Sequence, residues 1–323
     1  MAKFRQGIYK SEMVRRLVRW LDAMPHPPLA IEIAPERISL VRWSRKGSVE
    51  GVAVEPLPLS AIAPSAVDAN IADLPAVQKA LANVCKRLEV REDHDVTLLL
   101  PDPVVRVFVQ RFEEFPRSRQ EALALLRWKL KKSVPFGVQE MLLSYLRQPS
   151  PEGGVNVVTA VARLSIVREY EDVARTAKLR PGVVLSSSIA AVALLQEDRP
   201  TLIARIAGRA LTTSIVRGGM LRGYRCTELP AHGGALTPKM LLEEIFPVVA
   251  YYQDTWREEI RSLQVAGLDK RLREFAPHLE KELHCPVTSL LETAVSSGRI
   301  PEHARSLAER ELEGMLGWML HRG

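Results

Sequence analysis

The chain has 323 residues, of which 46% are hydrophobic and 6% aromatic, and it carries a formal net charge of +7. This composition excludes an intrinsically disordered chain, and the length predicts two or more packed units. No apolar run reaches the roughly 18 to 20 residues that span a bilayer, and arginines interrupt the apolar residues near the N-terminus so that no signal-peptide core can be drawn, so we expect a soluble cytoplasmic protein. The positive charge favours an anionic partner but does not choose between a nucleic acid, an acidic peptide and a phospholipid surface.

The first predicted element is a short basic amphipathic helix that ends at the proline-rich run of residues 25–28. Its apolar residues recur at helical spacing. Three arginines lie largely outside that stripe: Arg15, Arg16 and Arg19. A helix of this kind docks on the parent fold, lies on an anionic membrane or binds a partner, and the sequence leaves the three open. The arginines are therefore candidate membrane-contact residues.

From residue 29 the pattern changes to short apolar strands. Turn residues separate three of them, over 29–33, 38–43 and 49–55, and this spacing predicts a three-stranded meander. A helix is predicted over 75–88 and a strand over 96–100. Strands before and after a helix indicate an α/β layer.

The next segment predicts a subdomain of strand, helix, strand, strand and helix. The first helix begins at the capping box of Ser118 and Glu121 and is broken by Pro135. The strands are expected over 104–112, 141–147 and 155–162, and the last helix over 165–178. The face of the first helix opposite its leucines is basic and carries Arg127, Lys129, Lys131 and Lys132.

The remaining elements form a second α/β series. Strands are predicted over 202–206, 211–216 and 221–225, and Gly218-Gly219 joins the last two in a turn with positive φ. Helices are predicted over 189–195, 239–261 and 302–320, with a strand over 263–266 and a further helix ending near 283. The last helix presents an apolar face that either packs on the fold or meets a membrane. Its candidate membrane-contact residues are Met315, Leu316 and Met319.

The common signatures of catalysis are missing. The sequence has no phosphate-binding P-loop, no dinucleotide glycine turn, no His-Glu-x-x-His helix and no nucleophile elbow. Its three cysteines are far apart, and its seven histidines show no ligand spacing. We therefore expect no catalytic residue and no metal site.

One segment carries a family resemblance. Residues 128–136 read WKLKKSVPF and are followed by Gln139-Glu140 and an apolar strand. The segment resembles the insert of the PilM family of type IV pilus assembly proteins, in which a helix ends at an Ile/Val-Pro-Phe motif. The neighbouring strands stand in the same order, and the similarity covers most of residues 29–300. It implies an actin-like (ribonuclease H-like) two-domain α/β fold with an inserted strand-helix-strand-strand subdomain.

The resemblance also implies where the domains begin and end. We expect a basic N-terminal helix and linker (1–28), the first part of the first actin-like domain (29–95), the insert (96–180), a return to the first domain (181–200), a reduced second domain (201–287) and a C-terminal segment with an amphipathic helix (288–323). Between Thr237 and Val265 there is room for one helix, whereas the family has more. One subdomain of the nucleotide cleft is therefore expected to be reduced or absent.

Actin-like proteins bind ATP between two domains, and the matching turns are degenerate in this sequence. The first turn contains Glu32 and Ala34, followed by a proline that has no N–H for a phosphate. The second turn contains Gly208 but has Arg205 where a carboxylate would organise magnesium. The adenosine turn retains only Gly267. We therefore expect a pseudo-ATPase with no cofactor and regard Mg-ATP as disfavoured.

Two functions follow from the resemblance. The first is a non-catalytic cytoplasmic scaffold that is peripheral to the inner membrane and belongs to a type IV pilus-like complex or to a type II secretion-like complex of the GspL kind. This scaffold would capture the tail of a PilN-like membrane protein between the insert and the first domain. The alternative is an ATP-binding switch that resembles the cell-division protein FtsA. The candidate partner-binding residues lie in the insert: Arg127, Lys131, Lys132, Val134, Pro135 and Phe136. No nucleic-acid-binding module is recognisable, and the oligomeric state stays open.

Overall fold

The structure is a computed structural model that describes residues 27–44, 48–90, 93–150, 153–195, 198–229 and 236–320. The predicted N-terminal helix with Arg15, Arg16 and Arg19 lies outside the described residues. The chain divides into two compact units: the first unit ends at Ala190 and the second begins at Ala191. No helix among the described residues combines the length and the apolar character that a bilayer span requires.

The strands are numbered in chain order: β1 (Leu29–Ala34), β2 (Arg37–Trp43), β3 (Val49–Pro56), β4 (Asp95–Leu100), β5 (Val105–Phe112), β6 (Met141–Pro149), β7 (Val155–Arg163), β8 (Arg180–Ser186), β9 (Thr201–Ala207), β10 (Ala210–Arg217), β11 (Met220–Glu228), β12 (Ser262–Ala266) and β13 (Val287–Ser289). The helices are α1 (Leu74–Arg87), α2 (Arg119–Leu130), α3 (Leu164–Thr176), α4 (Ser187–Ala191), α5 (Pro238–Trp256), α6 (Leu272–Leu283), α7 (Leu290–Ser296), α8 (Arg305–Glu309) and α9 (Glu313–Leu320). Short 3-10 turns add Asp102–Val104, Val138–Glu140, Val192–Leu194, Asp269–Arg271 and Glu302–Ala304.

The two large sheets have the same topology. Their strand orders are β3-β2-β1-β4-β8 in the first unit and β11-β10-β9-β12-β13 in the second. In each sheet an antiparallel three-stranded meander continues into two parallel strands. A parallel pair needs a long crossover, which α1 supplies between β1 and β4 and α5 supplies between β9 and β12. This duplicated arrangement is the actin-like fold, and the expected fold class is confirmed.

The centre of the first sheet is buried on both faces. All six residues of β1 are buried, and β4 is buried from Val96 onward. Helix α1 begins with an N-cap, since the Asp73 carboxylate accepts from the N–H of Ala76 at 3.0 Å. Its buried stripe of Val77, Ala80, Leu81 and Val84 follows helical spacing, and the helix packs on β2 and β3.

The insert is smaller than the expected range of 96–180. Strand β4 pairs with β1 and β8 and so belongs to the first sheet. Helix α3 packs against β4, β8 and α1, because its buried residues form a stripe facing that sheet. The insert therefore comprises β5, α2, β6 and β7, with β7 between β5 and β6. This is the predicted strand-helix-strand-strand order.

The helix of the insert ends at Leu130, before the predicted break at Pro135. A proline disfavours helical geometry in the residue before it, here Val134. Val134 is buried and Phe136 is partly buried, and both pack in a cluster with Leu130, Met141 and Val161. The chain leaves the helix early so that these side chains reach the core of the insert.

The second unit departs from the predicted helices at two places. Helix α5 ends at Trp256 rather than near 261, because Arg257 adopts a left-handed conformation with φ of 52°. The single helix expected over 302–320 is instead divided into a 3-10 turn and the two short helices α8 and α9. Glu311, with φ of 55°, lies between α8 and α9 and interrupts the helical backbone.

The apolar face of α9 is not available to a membrane. Met315, Leu316 and Met319 are buried, as is every residue from Glu313 to Met319. The helix packs on the Val192–Leu194 turn of the same unit. The candidate membrane-contact residues of the last helix are therefore core residues, because a helix that is apolar on all sides is stable only when it is enclosed.

Candidate functional site

The carboxyl ends of β9 and β12 bring three of the sequence-predicted nucleotide residues together in the second unit. These parallel strands place Ala266 opposite Arg205. Gly208 opens the two-residue turn from β9 to β10, and Gly267 follows β12 directly. Ligands of open α/β sheets bind at such strand ends. Glu32 and Ala34 lie in the first unit, at the end of β1.

The turn at Gly267 has no room for a side chain. Gly267 has φ of 82°, and a Cβ built on it would lie 1.9 Å from the carbonyl oxygen of Ile206. The backbone of this turn therefore lies directly against β9. The close packing of the turn against β9 requires glycine at this position.

The guanidinium of Arg205 is buried and paired. Its Nε lies 3.6 Å from Oε2 of Glu313, in the first turn of α9, and both side chains are almost completely buried. The carboxylate neutralises the charge of the guanidinium. Sequence analysis missed Glu313, although a single acid in the otherwise uncharged stretch Glu313–Leu320 was a detectable signal.

The corresponding turn of the first unit is equally closed. Ala34 pairs with Arg37 across a turn of only two residues, Pro35 and Glu36. The carboxylate of Glu32 is buried with its Oε2 at 3.9 Å from the guanidinium of Arg37. A two-residue turn that contains proline offers few free N–H groups, so this hairpin lacks the backbone cradle that binds phosphate.

A cavity of about 1250 Å³ lies in the second unit beside the Gly267 turn. Its charged lining residues are Asp269, Lys270, Arg271, Arg273, Glu292, Glu309, Glu311 and Glu313. Acids outnumber cations in this lining, which opposes the binding of a polyphosphate. One of the cations is also engaged, since Arg271 donates to the carbonyl of Leu236 at 2.7 Å. Within the described ranges no group of three or more metal-binding side chains occurs.

The structure separates the candidate partner-binding residues of the insert. Val134 and Phe136 belong to its core, whereas Pro135, Lys131 and Lys132 are exposed and Arg127 is half-buried. Trp128, which was not among the candidates, is 65% exposed on the same helix. The helix thus presents one aromatic ring among cations.

Arg163 joins the insert to the loop between β3 and α1. Arg163, at the end of β7, donates from Nε to Glu140 at 2.8 Å and from Nη1 to the carbonyl of Val67. The hydrogen bond from Arg163, together with the N–H of Gly137, lowers the pKa of Glu140. Next to this junction Leu142 is 45% exposed on β6. Glu140, which is paired with Arg163, thus precedes the exposed Leu142 by two residues near this junction.

No protein-family model and no curated protein matches the chain. Among solved structures, the chain is similar to one described as a PilM-PilN type IV pilus biogenesis complex, with 19% identity, coverage of 92% of this chain and 98% of that chain, and a TM-score of 0.73. It is more distantly similar to the cytoplasmic domain of EpsL, an inner membrane component of the type II secretion system of Vibrio cholerae (13% identity, 73% and 80% coverage, TM-score 0.47). A protein of unknown function from Bacteroides thetaiotaomicron with an actin-like ATPase fold gives 11% identity, 87% and 95% coverage and a TM-score of 0.47.

The chain therefore has the actin-like fold in the form seen in PilM. The order β5-α2-β6-β7 of its insert agrees with the resemblance that residues 128–136 carry.

We predict that Gly267→Ala destabilises the second unit more than Gly218→Ala does. Both glycines have positive φ, which costs about 1–2 kcal/mol for alanine, but a Cβ at Gly218 meets nothing within 4 Å. The clash with Ile206 adds about 1–3 kcal/mol. Urea denaturation of the two variants measures the difference, and equal midpoints would contradict the assigned packing.

We also predict that Glu313→Gln lowers the free energy of unfolding by about 3–5 kcal/mol, because Arg205 keeps its charge and loses a buried counter-ion. The double variant Arg205→Met/Glu313→Leu should recover most of that loss, since it removes both charges. Thermal denaturation of the single and double variants is the measurement. The single variants Arg205→Met and Glu313→Leu complete the cycle, and a loss in the double variant equal to the sum of their two losses would show that the pair is not coupled.

Proposed function

We propose that this protein is a non-catalytic scaffold on the cytoplasmic side of an inner-membrane assembly complex of the type IV pilus or type II secretion kind, and that it binds the cytoplasmic tail of a PilN-like membrane protein. The similarity to PilM over 92% of the chain, at a TM-score of 0.73, supports the proposal. The similar structure is described as a PilM-PilN complex, which supports a PilN-like partner.

The buried pair of Arg205 and Glu313 carries the non-catalytic part of the proposal. Hydrolysis of ATP requires a magnesium ion beside the phosphates, and a carboxylate organises that ion. At this position the chain has a guanidinium, and the nearby carboxylate neutralises it at 3.6 Å. The closed Pro35 turn and the acidic lining of the cavity also disfavour the binding of ATP.

The junction of the insert with the loop between β3 and α1 is the proposed site for the tail. Leu142 offers an exposed apolar contact, and two residues before it Glu140 offers a half-exposed carboxylate that is already paired with Arg163. A short tail of basic and apolar residues complements this pair of groups. Such a tail is not attracted to the basic outer face of α2, because like charges repel there.

The alternative function, an ATP-binding switch, is favoured by the cavity beside Gly267. A cavity of about 1250 Å³ is large enough for a nucleoside, although its charge opposes a triphosphate. The two functions differ in whether ATP binds at physiological concentration.

Calorimetric titration with Mg-ATP separates them. We expect no binding tighter than about 1 mM, because neither turn supplies free donors or a magnesium ligand. An ATP-hydrolysing actin-like protein serves as the positive control. A micromolar dissociation constant for the wild-type chain would overturn the scaffold-only function.

The second prediction concerns the tail. A synthetic peptide of the cytoplasmic N-terminus of a single-span membrane protein, encoded beside this gene, should bind the full chain. Leu142→Glu should weaken that binding about tenfold or more, a loss of at least about 1.4 kcal/mol, by replacing the apolar contact with a charge. The control is Val295→Glu, at another exposed apolar residue that lies in the second unit. Equal effects of both changes, or no peptide binding at all, would refute the assigned site.

A further inference from the structure

Among the described residues three aromatic side chains are largely exposed. They are Trp128 at 65%, Phe246 at 56% and Tyr251 at 66%. Trp128 lies on α2 in the first unit, and the other two lie on α5 in the second. Exposed aromatic side chains are enriched at protein interfaces. The two helices are therefore the candidate contact surfaces of the molecule.

The exposed face of α2 is basic. Lys131 is the C-cap residue of α2 and Lys132 lies in the turn that follows, three and four residues after Trp128, and both are exposed. Arg127 precedes the tryptophan directly. In the described part of the chain no carboxylate forms an ion pair with any of these three cations. We call the set of Arg127, Trp128, Lys131 and Lys132 the basic face.

The exposed face of α5 is acidic. Glu243 precedes Phe246 by three residues, and Asp254 follows Tyr251 by three. Lys239 approaches Glu243 at 3.9 Å and neutralises it in part, while Asp254 is exposed. The helix carries more acids than cations although the whole chain has a net charge of +7. We call the set of Glu243, Phe246, Tyr251 and Asp254 the acidic face.

We propose that the basic face of one copy of this chain docks on the acidic face of a second copy. Opposite charges steer the two helices together, and Trp128 packs against Phe246 and Tyr251. The cations also meet aromatic rings, which adds cation–π attraction. The proposal goes beyond the proposed function and does not depend on it.

The two faces are different surfaces, so the contact is heterologous. Each copy that docks through its basic face leaves its acidic face open for the next copy, and association continues in a chain or closes in a ring. Because the charges are exposed, salt weakens the contact.

A second copy of the chain complements both faces, whereas an anionic membrane complements only one. A phospholipid surface complements the basic face alone. It repels the acidic face and leaves Phe246 and Tyr251 exposed. Docking between copies covers all three aromatic rings and pairs both sets of charges.

Sedimentation velocity of the full chain at low salt tests the proposal. The wild-type chain should show a weight-average sedimentation coefficient that rises with concentration and falls when salt is added. Two charge reversals, Lys131→Glu/Lys132→Glu on the basic face and Glu243→Lys/Asp254→Lys on the acidic face, should each give a monomer. The control Lys79→Glu/Lys86→Glu changes two exposed lysines of α1 in the first unit and should associate like the wild type.

Mixing the two charge-reversal variants is the decisive step. One variant keeps an intact acidic face and the other an intact basic face, and the two reversed faces are themselves opposite in charge. An equimolar mixture should therefore regain the association that each variant alone has lost. Circular dichroism and thermal denaturation establish that the variants are folded, and these readouts are independent of association.

Three outcomes would overturn the proposal. The first is a wild-type chain that stays monomeric at every concentration. The second is a mixture that does not associate, or a control that loses association like the basic-face variant. The third is a wild-type chain that stays monomeric and pellets with vesicles that contain phosphatidylserine but not with vesicles of phosphatidylcholine alone. If reversal of the basic face abolished this pelleting and reversal of the acidic face did not, the basic face would be assigned to a membrane.

Discussion

Each half of this molecule is organised by parallel strands that are buried on both faces: β1 with β4 in the first unit, and β9 with β12 in the second. Parallel strands must be joined by a crossover, and the crossover helix covers the sheet that it spans. The same constraint gathers the carboxyl ends of β9 and β12, where Arg205 and Gly267 meet. The position of the candidate site thus follows from the pairing of the central strands.

The charge at that position explains the proposed loss of catalysis. Actin-like nucleotide sites work by holding a metal and phosphates against donors, whereas Arg205 is occupied by an acid from the C-terminal helix. A buried pair of this kind contributes little net stability, but removal of one partner is costly because the other charge stays buried. Arg205 and Glu313 are therefore expected to be kept or lost together, and α9 is held in the core of the second unit together with its apolar residues.

The insert shows how one short segment serves two purposes. The side chains of Leu130, Val134 and Phe136 build its core, and the intervening cations remain in water with Trp128. Its junction with the loop between β3 and α1 is a separate surface, where Arg163 connects Glu140 to Val67. The proposed contacts of the scaffold, a membrane-protein tail at the junction and another copy at α2, therefore do not compete for the same residues.

The periodicity of the sequence by itself determined the meanders, the capped helices, the Gly218-Gly219 hairpin and, through residues 128–136, the resemblance to the PilM insert. These features depend on neighbours within about one turn or one hairpin, so local patterns record them. Only the tertiary structure decided that β4 and α3 belong to the first sheet, that Val134 and Phe136 face inward, and that α9 is enclosed. Apolar periodicity states that a face is buried but not what buries it. The pair of Arg205 and Glu313 joins residues more than a hundred positions apart, and no local pattern connects them.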